Sequence, residues 1–124
     1  MADGISVKVE GERKVLKRFA ALPADVRAKV RPAVVQGAED IAAFSRGLAP
    51  VETGALRDSI QTRDGDHDLA REVVSGSEQV FYARWVEFGT PEAPSHPFFF
   101  VSYRALKRRV RRRIANAVRR AIRG

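Results

Sequence analysis

Cysteine is absent from this 124-residue sequence. Disulfides, thiolate nucleophiles and thiolate zinc sites are excluded with it. Long apolar runs are missing too, and none approaches the roughly 20 residues that a membrane-spanning helix needs. The opening Met1-Ala2-Asp3-Gly4 has neither the basic start nor the apolar stretch of a signal peptide, so a reducing cytoplasm is the expected place of synthesis. There are only two histidines: His67 between Asp66 and Asp68, and His96 between Ser95 and Pro97. Neither has a partner at metal-ligand spacing. Glu39-Asp40 and Glu52 show nothing that would separate two carboxyl pKa values, as an acid and base pair requires. Ser45 and Ser59 lack a glycine elbow, and there is no G-x-x-x-x-G-K loop. These absences argue against an enzyme: no catalytic residue, cofactor, metal or small-molecule substrate is expected.

What is present begins with charge. Lysine and arginine number 23 against 15 aspartates and glutamates, giving +8 and a pI near 10.8, which implies attraction to something acidic without saying what. The length suits a single domain over 1–124, because two cores in so short a chain would each be marginal. Ile5, Val7 and Val9 alternate with polar residues and predict a strand. Leu16, Phe19 and Leu22 predict a short helix that Pro23 interrupts. Val26, Val30, Val34, Gly37, Ile41, Phe44 and Leu48 then recur at three or four residues, predicting one long helix ended by Pro50. Within it Pro32 either kinks the helix or marks its true start. A hairpin is expected from Ser59–Arg63 and Leu69–Ser75, around Asp64-Gly65-Asp66. A last helix, about 101–122, places Tyr103, Leu106, Val110, Ile114, Ala117, Val118 and Ala121 on one face.

The other face of that helix is arginine. Arg104, Arg108, Arg111, Arg112 and Arg119 belong to a run with no acidic residue in it. Like charges at three and four residue spacing weaken an isolated helix by a few tenths of a kcal/mol per pair, so packing of the apolar seam must offset them. Three readings stay open for this face: a solvated surface, contact with DNA phosphates, and contact with an acidic protein or lipid surface.

Two segments are more particular. One is Ala49-Pro50-Val51-Glu52-Thr53-Gly54-Ala55-Leu56-Arg57-Asp58-Ser59-Ile60; the other is Tyr82-Ala83-Arg84-Trp85-Val86-Glu87-Phe88-Gly89-Thr90, followed by Pro97-Phe98-Phe99. Pro50 ends the helix, Gly54 permits a tight turn, and Thr53 is placed to cap a turn through Ala55 to Asp58 that docks Leu56 and Ile60 inward. Their order, from about Val26 to Leu106, resembles the tailed-bacteriophage neck protein family of head-to-tail connector and tail-completion proteins, found also in prophages and gene transfer particles. The resemblance implies a structural virion protein at the head–tail junction, made in the host cytoplasm. It further implies a homo-oligomeric ring, as a connector or tail terminator, that meets adjacent connector and tail-tube proteins around a DNA channel.

On that resemblance the expected assembly residues are Pro50, Thr53, Gly54 and Leu56 from the first segment. The second supplies Trp85, Glu87, Phe88, Gly89, Phe98 and Phe99. Its aromatics Trp85, Phe88, Phe98 and Phe99, with Phe100, offer a large area for so small a core, and two readings stay open: part of it seals a contact between subunits, or all of it lies in the core. The five arginines named above would face packaged DNA non-specifically or an acidic partner. No membrane contact is expected. The predicted fold class is α+β, a small antiparallel sheet packed against the long helix and the basic C-terminal helix. The rivals are a small nucleic-acid-binding protein that docks its arginine helix on duplex phosphate, and a toxin-like or membrane-surface module using the same helix.

Overall fold

The computed structural model describes residues 4–50 and 54–123. Along the chain run β1 (Ile5–Glu10), α1 (Arg13–Ala20), α2 (Ala24–Leu48), α3 (Ala55–Asp58), β2 (Gln61–Asp64), β3 (Ala70–Ser75), α4 (Ala83–Phe88) and α5 (Phe100–Arg123). The class is α+β, with the antiparallel sheet in the order β1-β3-β2. β3 is central, pairing Val7 with Val73 on one side and Thr62 with Val73 on the other. No helix among the described residues is long and apolar enough to cross a membrane.

The alternation in β1 does what its period demands: Ile5, Val7 and Val9 are buried while Ser6 and Lys8 face out. α2 and α5 make the most extensive contact between any two elements, and α2 also lies against β3. The buried stripe of α2 is Val30, Val34, Gly37, Ala38, Ile41, Ala42 and Ser45. Phe44 and Leu48, read from the sequence as part of that stripe, are exposed instead. After the adjacent pair Ile41 and Ala42 the next inward position is Ser45, and Phe44 and Leu48 fall off the inner face. α2 runs through Pro32 from its start at Ala24, so Pro32 is not the start, and the helix forgoes one backbone bond there.

The inner seam of α5 is Ser102, Val110, Ile114 and Val118. Gly37 is where α2 meets it: a Cβ added there would lie 2.5 Å from Val110 Cγ1. Valine is stiff at χ1 and cannot swing its methyl aside freely.

The start of α5 is held by a carboxylate. Glu87 is only 4% exposed. Its Oε1 accepts the Phe98 and Phe99 N–H groups at 3.0 and 2.9 Å, and its Oε2 accepts that of Phe100 at 3.1 Å. Helix N-termini leave such donors unpaired, and a negative charge there also opposes the positive end of the helix dipole. Ser102 Oγ donates to the Phe98 carbonyl at 2.6 Å, completing the first turn. Between α4 and α5 the chain folds back on itself, with His96 N–H donating to the Val86 carbonyl at 2.7 Å and a bridge joining Thr90 to Ala93.

Two outcomes test this packing. Gly37→Ala gains about 1 kcal/mol of helix propensity but overpacks Val110 at a cost of about 1–3 kcal/mol. A lower melting temperature is therefore expected, and Val110→Ala in the same chain should recover part of the loss beyond additivity; an unchanged or raised melting temperature would show slack between α2 and α5. Glu87→Gln should cost about 1–3 kcal/mol, because one amide oxygen cannot serve three donors in a buried site. Amide exchange at Phe98, Phe99 and Phe100 should speed up, whereas Glu92→Gln in the exposed loop should leave both readings unchanged.

Candidate functional site

Both motif segments turn out to be wired largely into the protomer. Gly54 adopts φ +79° at the start of α3, a left-handed conformation that glycine tolerates without strain. Gly54 contributes no side-chain cap, and the expected capping by Thr53 falls outside the described residues. Leu56 and Ile60 are buried, as their docking role requires. Ser59 Oγ donates to the Leu56 carbonyl at 2.6 Å and accepts the Gly76 N–H at 2.9 Å, tying α3 to the end of β3. Arg46, on the last turns of α2, donates to the Ile60 carbonyl through Nε and Nη2 at 3.1 and 2.8 Å and pairs with Glu39 at 2.9 Å. The chain from Gly54 to Ile60 is thereby fixed against the C-terminal end of α2. Pro50 is exposed.

The second segment divides. Glu87, Phe98 and Phe99 are buried, and with Leu56 they lie inside the protomer rather than on its surface. Gly89 ends α4 at φ +79°, where an added Cβ would come within 2.8 Å of the Ser95 nitrogen. Its role is to let the proline loop return against α4. Trp85 and Phe88 do the opposite of the buried pair: they are 52% and 61% exposed, and Phe81, one turn before Trp85, is 48% exposed. Phe81 and Trp85 meet edge to face at 5.3 Å, and Phe88 leans on Phe100 at 5.7 Å. The rings are thus held in place while much of their surface remains in water. Helical spacing puts Trp85 and Phe88 on one side of α4. Phe44 and Leu48, one turn apart on α2, add further exposed apolar surface.

The basic helix is less uniform than its sequence. Arg104, Arg108, Arg112 and Arg119 are exposed and Arg111 is half-buried. Lys107 lies 5.7 Å above the Tyr103 ring, and Arg119 binds Asn116 Oδ1 at 2.9 Å. Arg113 reaches Asp40 on α2 at 2.8 Å. Burial alone would raise the Asp40 carboxyl, but hydrogen bonds from Gln36 and Arg113, with the positive charge of Arg113 and Arg109, outweigh it and hold the group below the usual carboxylate range. Beside α5 lies α1, whose outward residues are also cationic.

A third cluster was not legible in the sequence. His67 Nε2 lies 2.8 Å from Glu10 Oε2, 57 residues away, a partner that ligand spacing along the sequence does not reveal. The Leu69 N–H donates to His67 Nδ1 at 3.2 Å, so the neutral ring carries its proton on Nε2 and donates it to Glu10. Glu10, Asp66 and His67 offer three ligand atoms within 4.8 Å of one another. Asp66 is engaged by Lys8 at 3.2 Å, and the set serves as a polar latch joining β1 to the β2–β3 loop. The neighbouring cleft between the start of α2 and that loop is likewise crossed by paired groups, Arg31 and Arg71 both binding Asp64 at 2.7 Å.

No match was found among curated proteins or among solved structures. A family model does match: residues 13–89 fit the HK97-gp10-like family, described as "Bacteriophage HK97-gp10, putative tail-component". The match starts earlier than the resemblance drawn from the motifs and stops at Gly89, leaving the Pro97-Phe98-Phe99 segment and α5 outside it. It takes in α1, α2, the whole Pro50–Ile60 sequence segment, the β2–β3 hairpin and α4. With more than half of its length matched, the chain belongs to the HK97-gp10-like family of phage tail components.

Proposed function

We propose that the chain is a structural subunit of the head–tail junction of a tailed phage, closing into a ring with copies of itself and bridging connector and tail-tube proteins, as a connector or tail terminator. The family supports a structural tail role rather than a catalytic one. The observation that carries the ring is the aromatic face of α4. This small fold buries Phe98 and Phe99 completely yet leaves Phe81, Trp85 and Phe88 about half in water. Large aromatics are the side chains that most often anchor protein interfaces, and rings already fixed by neighbours lose little entropy on docking. Trp85 and Phe88, with the exposed Pro50 and the Gly54 turn, are the proposed contacts between subunits or with neighbouring rings. Glu87, Gly89, Phe98 and Phe99 act indirectly, by setting how α4 is presented.

The test separates assembly from folding. Trp85 and Phe88 are about half exposed but each packs on a neighbouring ring, so replacing both with serine should destabilise the isolated protomer by about 1–3 kcal/mol, less than the total stability of a small domain, leaving it folded. Sedimentation and negative-stain imaging should then show rings for the parent and protomers for the variant. Rings of unchanged size and yield from the variant would remove α4 from the interface.

A further inference from the structure

The two helices α1 and α5 hold fourteen of the chain's 23 lysines and arginines and none of its 15 acidic residues. The remainder of the chain, with nine cations and 15 acids, is net −6. The structure shows that this segregation is spatial as well. On the sheet and α2, Lys8, Arg31, Arg46, Arg63 and Arg71 each meet a carboxylate. On α1 and α5, among the described residues, only Arg113 does. A groove runs between these two helices, with Lys14 and Arg18 on one wall, Lys107, Arg108, Arg111 and Arg112 on the other, and a single acid, Glu12, immediately before α1. The α1 wall could not be assigned to a basic surface from the sequence, because nearly ninety residues separate it from its partner.

We infer that the groove between α1 and α5 binds the phosphate backbone of double-stranded nucleic acid without reading its bases. Outside α1 and α5, six of the nine cations meet a carboxylate, and Arg27, Lys29 and Arg84 do not among the described residues; a dense unpaired set in a fold that pairs most of its others is matched to charge supplied from outside. The lining decides what kind. Protein interfaces have an apolar centre depleted of charge, whereas Val15 and Ala115 are the only apolar residues lining this groove. Single strands are bound by stacking bases on aromatics, and the groove lining includes no aromatic residue. Base-edge reading combines guanidinium contacts to guanine with amide contacts to adenine. Asn116 is the only side-chain amide on either helix, and it is bound to Arg119. What remains is a row of point charges along a helix of 24 residues, about 36 Å long at 1.5 Å per residue. This fits the regular, closely spaced phosphates of a duplex. The inference adds a partner to the assembly proposed above, but it stands on the charge distribution of one protomer.

Binding of the full chain to a short labelled mixed-sequence duplex, followed by fluorescence anisotropy across a salt series, tests it. The logarithm of affinity should fall linearly with the logarithm of salt. Lys14→Gln with Arg18→Gln should reduce the slope by about 2, since each lost phosphate contact removes about 0.9. Arg108→Gln with Arg112→Gln should do the same from the other wall and serves as the second reading if the α1 variant melts early. Arg63→Gln, on the sheet, should leave the slope unchanged. Sedimentation of the same samples reports ring formation separately, so failure to assemble and failure to bind are distinguishable. The proposal is overturned if the parent does not bind the duplex, if folded variants of both walls keep the parental slope, if a single strand binds more tightly than the duplex, or if polyglutamate of matched charge binds as tightly at the same salt. The last result would assign the groove to an acidic protein.

Discussion

Three backbone N–H groups at the start of α5 converge on the Glu87 carboxylate, and much of the surface depends on that convergence. The donors belong to the segment that enters the basic helix; the acceptor belongs to α4. Without a partner each buried donor would cost about 1–3 kcal/mol, comparable to a sizeable share of the stability of a small domain. One side chain thus couples two surfaces. It sets the angle at which α4 offers Trp85 and Phe88, and it anchors the first turn from which α5 projects its arginines. Phe98 and Phe99, whose backbone meets the carboxylate, are themselves fully buried, which fixes that segment in the core.

Much of the architecture was legible because it rests on local periodicity. The strand at Ile5–Glu10 was visible as alternation, the helices at Ala24–Leu48 and Phe100–Arg123 as recurring apolar positions, and the hairpin as two short runs around an Asp-Gly turn. The departures come where a local signal is ambiguous or a long-range one is needed. Phe44 and Leu48 continue a spacing of three or four as well as Ser45 does, and only the sheet and α5 decide which face turns inward. Glu87 reads as one more charge before a glycine, since its partners lie 11 to 13 residues away across a proline-rich loop. The pairs His67 with Glu10 and Arg113 with Asp40 span 57 and 73 residues, distances over which composition carries no information. The motif residues were recognisable as a group, but their division into buried wiring and exposed aromatic surface is a property of the packed chain.

The balance of forces on α5 follows from the same division. Its outward residues repel one another, and the helix persists because Val110, Ile114 and Val118 are buried against the body and because the close approach at Gly37 lets the two long helices meet without a gap. Among the described residues only Arg113 of this helix pairs with a carboxylate. Stability is thus drawn from the inner seam, which leaves the outer charges free of a folding role and available to respond to salt.

The sheet has a consequence of a different kind. β2 lies at its edge, is only four residues long, and carries Gln61, Arg63 and Asp64 among those four. Exposed strand edges are templates on which identical chains add strand to strand, and short, charged edges are poor templates. In the ring proposed above, copies that each recognise the next would face the hazard of unlimited fibrous growth. At this edge, one of the sheet's two, that composition discourages the route and favours contacts made by side chains, which can close and stop.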